Sequence, residues 1–158
     1  MKLLSPEQVA QIHDDLMETE QGLKARYSLD KIESVVSRIQ HRIYYDDEFT
    51  PDVFNIAALY AEAIAVGHAF PDGNKRTAFV ASLTILSLNH VYPDTLTGMI
   101  DHFKESEEVR YPTELLVLVA EKKITHKELA NVYLAIFGIT TLGLGVVKLV
   151  DIIKKLIN

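Results

Sequence analysis

The stretch from Asn74 to Asn89 constrains this chain most. Ala78, Phe79, Val80, Ala81, Leu83, Ile85, Leu86 and Leu88 leave it almost no polar face. At helical spacing such a segment is apolar all round and belongs in the centre of a bundle. Partners of the right kind flank it. Ser5-Pro6-Glu7-Gln8 is a capping box with proline at the first helical position, followed by Val9, Ile12, Leu16 and Met17 at the helical period. Leu29, Ile32, Val35, Val36 and Ile39 define one face of a second helix from about Ser28. Thr50-Pro51 gives a cap-plus-proline start before Val53, Ile56, Ala57, Tyr60, Ile64 and Ala65. Shorter helices are predicted over 95–103 and 113–120. Thr125-His126-Lys127-Glu128 is a second capping box, opening a helix through Leu134. No segment alternates with period two between turn residues. The fold class is therefore all-α, with seven or eight helices and one short hairpin near 22–30 or 44–49.

Composition narrows the function classes. The chain has 158 residues, the length of one ordinary domain, and 48% hydrophobic against 24% charged residues excludes disorder. Sixteen Lys and Arg against 22 Asp and Glu give a net charge of -6, which argues against direct nucleic-acid binding. Cysteine is absent, which excludes thiolate metal sites and cysteine nucleophiles and fits a reducing, cytoplasmic location. Met1-Lys2-Leu3-Leu4 is not followed by an apolar run, so no signal peptide is expected.

The C-terminal part reads differently from the rest. Residues 131–147 carry no charge, and beyond them Val146, Leu149, Val150, Ile153 and Leu156 oppose Lys148, Asp151, Lys154 and Lys155. The division expected is a domain over 1–130 and an apolar, then amphipathic, helical extension over 131–158. Two readings of the extension stand: packing on the bundle, on a sister subunit as a homo-oligomer or on a partner, or contact with a membrane through a lysine-flanked end.

The segment that carries chemistry lies between the two most apolar helices. Gly67-His68-Ala69-Phe70-Pro71-Asp72-Gly73-Asn74-Lys75-Arg76-Thr77 contains a tight turn, because proline fixes its own φ and glycine tolerates positive φ. The next helix then begins at or near Asn74. Its first amide groups lack intrahelical partners and attract anions, and Lys75 and Arg76 add full positive charge, Arg76 as a fork suited to phosphate. His68 ends the preceding helix. Histidine ordinarily titrates near ~6.5 and can take a hydroxyl proton at cellular pH. Asp72 is the hard oxygen ligand that holds Mg²⁺ together with phosphates and water. Phe70 is the apolar anchor of the loop. A base, a metal ligand and a phosphate cradle are the parts for attack of a hydroxyl on a phosphoryl group. Read singly, each part is ordinary: most such turns are only solvated, and most lone histidines are surface or satisfied core residues. A metal-dependent hydrolase on His68 and Asp72 is the weakest reading, since His13, His41, His90, His102 and His126 show no zinc-binding spacing.

The whole string His68-x-Phe70-x-Asp72-Gly73-Asn74-Lys75-Arg76 resembles the signature of the Fic/Doc family, specifically its death-on-curing (Doc) branch. The resemblance extends over about residues 1–130 through Ser5-Pro6-Glu7, the 22–40 stretch and the spacing to His68. It implies a bundle of about six helices with the motif at the start of a central helix. It also implies His68 as the base toward a target Ser, Thr or Tyr hydroxyl, Asp72 as the Mg²⁺ ligand, Gly73 and Asn74 as an anion hole, and Arg76 on nucleotide phosphate. A flap somewhere in 22–49 would align the target peptide as an added strand.

Two departures select the branch. AMP-transferring members of the family have glycine where Lys75 stands and a second arginine where Phe79 stands. Doc-type members share the lysine and lack that arginine, and their nucleotide is held to bind reversed. The implied activity is a toxin that transfers phosphate from ATP to a target protein, elongation factor Tu by resemblance. AMP transfer and a non-enzymatic interaction module are the alternatives. Val80 departs from the polar residue frequent in Doc-type members. No Ser or Thr has Glu four residues later, so the inhibitory helix found in many Fic proteins is missing, and the resemblance implies an antitoxin protein as partner.

Overall fold

The computed structural model describes residues 1–19, 26–91 and 110–141. Within them the chain is all-helical, with no strand: α1 (Pro6–Thr19), α2 (Leu29–Tyr45), α3 (Val53–Gly67), α4 (Asn74–Leu88), α5 (Arg110–Ala120) and α6 (His126–Thr141). The helix expected over 95–103, the part of the 22–30 stretch up to residue 25 and the extension beyond 141 lie outside the described residues.

Local sequence sets the helix starts. At α1, Ser5 N donates to Gln8 Oε1 (2.9 Å) and Gln8 N donates to Ser5 Oγ (3.3 Å), the reciprocal pair of a capping box. Thr125 and Glu128 make the same pair before α6, at 2.7 and 3.3 Å. The third helix departs from expectation. It starts at Val53 with Asp52 as its cap, not at Thr50-Pro51. One Asp52 carboxylate oxygen accepts from both Phe54 N and Asn55 N at 2.9 Å, satisfying two orphan donors where a threonine hydroxyl usually reaches one. The hairpin placed at 44–49 is instead the end of α2 and a turn closed by Phe49 N donating to Asp46 O at 3.0 Å.

Packing puts α3 at the hub. It contacts α2, α4, α5 and α6 and buries Ile56, Ala57, Ala58, Leu59, Tyr60, Ala61, Ile64 and Ala65. The helix expected to be central, α4, packs on α1, α3 and α5 but leaves Phe79, Val80, Leu83 and Thr84 half-buried. The alanines explain the difference: small side chains at 57, 58, 61 and 65 let neighbours approach α3 on several sides. Tyr60 is fully buried, and its hydroxyl donates to Leu4 O (2.8 Å), tying the N-terminal segment to the hub. Burial pushes the Tyr60 hydroxyl up to about 12.

The last helix continues past Leu134 to Thr141. Leu129, Ala130, Val132 and Tyr133 are buried in the same core as α3 and α4, so the chain crosses residue 131 inside one continuous helix. No described helix is long and apolar enough to cross a membrane.

Candidate active site

Two left-handed residues shape the loop between α3 and α4. His68 caps α3 at φ 47°, ψ 41°, and Gly73 precedes α4 at φ 78°, ψ 4°. Glycine adopts that region freely, whereas a histidine there costs about 1 kcal/mol that the surroundings must offset. The left-handed cap turns the chain off the end of α3. His68 is left exposed while Ala69 and Phe70 enter the core. Gly67 brings this end of α3 hard against α2, since a Cβ there would lie 2.7 Å from Val35 Cγ2.

Asn74 closes the loop. Its Oδ1 accepts from Phe70 N (3.0 Å) and its Nδ2 donates to Phe70 O (2.6 Å), so both ends of the carboxamide hold the loop shut. What Asn74 offers an incoming anion is therefore its backbone N–H, with those of Lys75 and Arg76 at the positive end of α4. Thr77 N donates to Gly73 O (2.9 Å), closing the first turn. Gly73 N donates to Asp72 Oδ1 (2.6 Å). Asp72 Oδ2 stands 3.6 Å from Arg76 Nη2, with the carboxylate 76% exposed, an ion pair that water screens and a ligand can displace. Lys75 is exposed beside it. The structure thus joins Asp72, Gly73 and Arg76 by direct contacts and Asn74 to Phe70.

His68 opens on the other side of the loop. With Ala69, Phe70 and Pro71 it lines a cleft of about 600 Å³, whose opposite wall is Arg26, Tyr27, Ser28 and Lys31. Gly73, Asn74, Lys75 and Arg76 are not part of that lining. The Pro71–Asp72 corner is the stretch of chain that separates the His68 cleft from the start of α4.

Sequence reasoning missed what supports this corner from beneath. His13 of α1 is 5% exposed, and its Nε2 lies 3.1 Å from Asp72 O. A carbonyl can only accept, so Nε2 carries the proton. The ring stacks on Phe70 with centroids 3.9 Å apart and planes 2° from parallel, and Tyr27 meets both rings edge-on at 5.2 and 5.0 Å. The Tyr27 hydroxyl donates to Asp14, 2.9 Å from either oxygen, and burial together with that carboxylate pushes it up to about 12. A signal for His13 was present: it stands four residues from both Val9 and Met17, on the apolar stripe of α1.

Asp72 makes sense as a Mg²⁺ ligand only of the kind that shares the ion with phosphates and water. Among the described residues no group of three or more His, Cys, Asp or Glu is placed to cage a metal, and one exposed carboxylate fits that sparse mode of binding.

An all-helical bundle with an exposed histidine, a glycine turn and a cationic helix start defines a class, and the sequence comparison agrees: the chain belongs to the Fic/DOC family, whose sequence model it matches over residues 3–86. It is 35% identical over 91 residues to "Protein kinase doc" of Escherichia phage P1, an alignment covering 58% of this chain and 71% of that relative. It is 38% identical over 60 residues to "Toxin Doc" of Mycolicibacterium smegmatis, covering 38% of this chain and 45% of that relative.

Proposed function

We propose that this chain is a Doc-type toxin that transfers the γ-phosphoryl group of ATP to a hydroxyl of a target protein. The observation that carries the reading is the division of the loop: exposed His68 on one side of the Pro71–Asp72 corner and the start of α4 with Lys75 and Arg76 on the other. The name of the phage relative, a protein kinase, supports the direction of transfer.

In this reading the nucleotide phosphates rest on the first-turn N–H groups of α4, with Arg76 and Lys75 as their cations. His68 takes the proton of the attacking hydroxyl. The new bond forms between that oxygen and the γ-phosphorus, the bridging P–O bond breaks, and the nucleoside diphosphate leaves. Asp72 would hold Mg²⁺, which supplies charge neutralisation of the phosphates when bound. Elongation factor Tu is the target by resemblance, a separate antitoxin protein is the restraining partner, and the apolar, then amphipathic sequence beyond residue 141 suits a partner, a second copy or a membrane surface. A cytoplasmic location follows from that target.

AMP transfer is the second reading. Lys75 crowds the pocket that would take the outer phosphates in that orientation, and Phe79 sits half-buried against the core where a γ-phosphate arginine is needed. The test is incubation with ATP labelled at the α or the γ position, Mg²⁺ and purified elongation factor Tu. γ-Label transfer that His68→Ala abolishes is expected. Transfer of α-label selects AMP transfer, and growth arrest that persists in His68→Ala selects a non-enzymatic module.

A further inference from the structure

The cleft beside His68 carries a charge pattern that phosphate binding leaves unused. Among the described residues its wall contains two cations, Arg26 and Lys31, and no carboxylate. Both cations are exposed, and neither is in an ion pair with a described residue. Asp14 is turned to the Tyr27 hydroxyl and to His13, and Asp30, in the first turn of α2, is outside the lining. The chain as a whole carries a net charge of -6, so this pair of cations runs against its overall sign. The cleft is also held open, because the edge-on packing of Tyr27 on His13 and Phe70 braces one wall against the other.

We infer that the cleft receives the segment of the target protein bearing the acceptor hydroxyl, and that this segment is acidic, with Asp or Glu beside the hydroxyl facing Arg26 and Lys31. The assignment rests on His68 as the base, since that is what places an acceptor in this cleft. The nucleotide is not the better occupant: its phosphates have Lys75, Arg76 and the start of α4, none of which lines the cleft. An acidic segment held at the opening next to the imidazole meets these two cations directly. Charges at such a rim act on association and on discrimination between partners more than on the chemical step. Arg26 and Lys31 are therefore specificity residues.

The test uses the full chain and two fluorescent peptides, each with one threonine, flanked by glutamates in one and by glutamines in the other. Binding is measured in the His68→Ala variant, so that no turnover intervenes. The glutamate peptide is expected to bind at least about tenfold more tightly than its glutamine twin at low salt and to lose that margin as salt rises. The double variant Arg26→Glu/Lys31→Glu is expected to abolish the preference while keeping the melting temperature and ATP affinity of the parent. Equal binding of the two peptides overturns the inference, as does a preference that survives charge reversal. Loss of ATP affinity in the double variant assigns the cations to the nucleotide and overturns it as well. If the preference holds but the wild-type chain transfers no label from ATP to any acceptor, the phosphotransfer reading fails while the acidic-segment site stands.

Discussion

His13 and Phe70 stack face to face, 3.9 Å apart and 2° from parallel, although 57 residues of sequence separate them. The same imidazole donates to Asp72 O, so one buried ring on α1 holds both ends of the corner between the proposed base and the proposed phosphate cradle. His13→Phe keeps the stack and removes the donor, with an expected loss of about 1 kcal/mol. His13→Ala removes both, roughly 2 kcal/mol in all, lowering the melting temperature by roughly 4–8 °C. Phosphotransfer should fall in both variants. Thermal unfolding that ranks the two alike would show that the ring is filler.

Gly73 is held at φ 78°, and a Cβ there would stand 3.3 Å from Met17 Sδ and 3.5 Å from His13 Cδ2. Gly73→Ala therefore meets left-handed strain and crowding against α1 together, about 1–2 kcal/mol. Because this residue leads into α4, nucleotide affinity should drop with stability. Calorimetric titration with ATP alongside denaturant unfolding checks both, and an unchanged pair of values counts against the loop geometry.

Glu62 links α3 to α6: its Oε2 lies 3.3 Å from His126 Nδ1, its Oε1 accepts from His126 N at 3.2 Å, and Arg42 Nη1 is 3.9 Å away. The His126 hydrogen bond, followed by the charges of His126 and Arg42 and opposed by burial, holds the Glu62 carboxyl below its usual 4.5. A depressed carboxyl contributes stability that is fully present above 4.5 and is lost as the pH falls through the lower folded-state value. Glu62→Gln should be less stable than the parent at neutral pH and converge with it in acid. Unfolding curves that stay parallel down to pH 3 would exclude this coupling.

Ser82 and Tyr133 form the buried bond between α4 and α6, 2.7 Å between oxygens. Ser82 Oγ donates its one proton to Phe79 O at 2.7 Å, so the tyrosine must donate to the serine. Burial pushes the Tyr133 hydroxyl up to about 12. Ser82→Ala strands a buried hydroxyl and should cost about 1–3 kcal/mol, more than the ~1 kcal/mol of Tyr133→Phe. The double variant should be no less stable than Ser82→Ala alone, a coupling that a double-mutant cycle in urea measures.

The same pair explains why the extension was harder to read than the motif. Residues 131–147 stand out for having no charge, and composition alone gives such a segment either a protein or a lipid neighbour. Through residue 133 the neighbour is protein, because Tyr133 finds an acceptor on α4 and Val132 a place in the core. The hub of the bundle differs from the sequence expectation for a related reason. Apolar residues all round predict a central place for α4, whereas close approach depends on small residues, which α3 has at 57, 58, 61 and 65.

What the sequence determined by itself is what neighbouring residues decide among themselves. The capping boxes at Ser5 and Thr125, the turn at Pro71–Gly73 and the start of α4 at Asn74 all follow from φ preferences and hydrogen bonds reaching three or four residues. Only the tertiary structure decided that His13 lies under a carbonyl 59 residues away and that Arg26 and Lys31 face His68 across a cleft. Those contacts depend on how α1 and α2 settle against the ends of α3 and α4, and packing of large apolar faces sets that placement: the stripe of α1 marks His13 as inward-facing but does not name its partner.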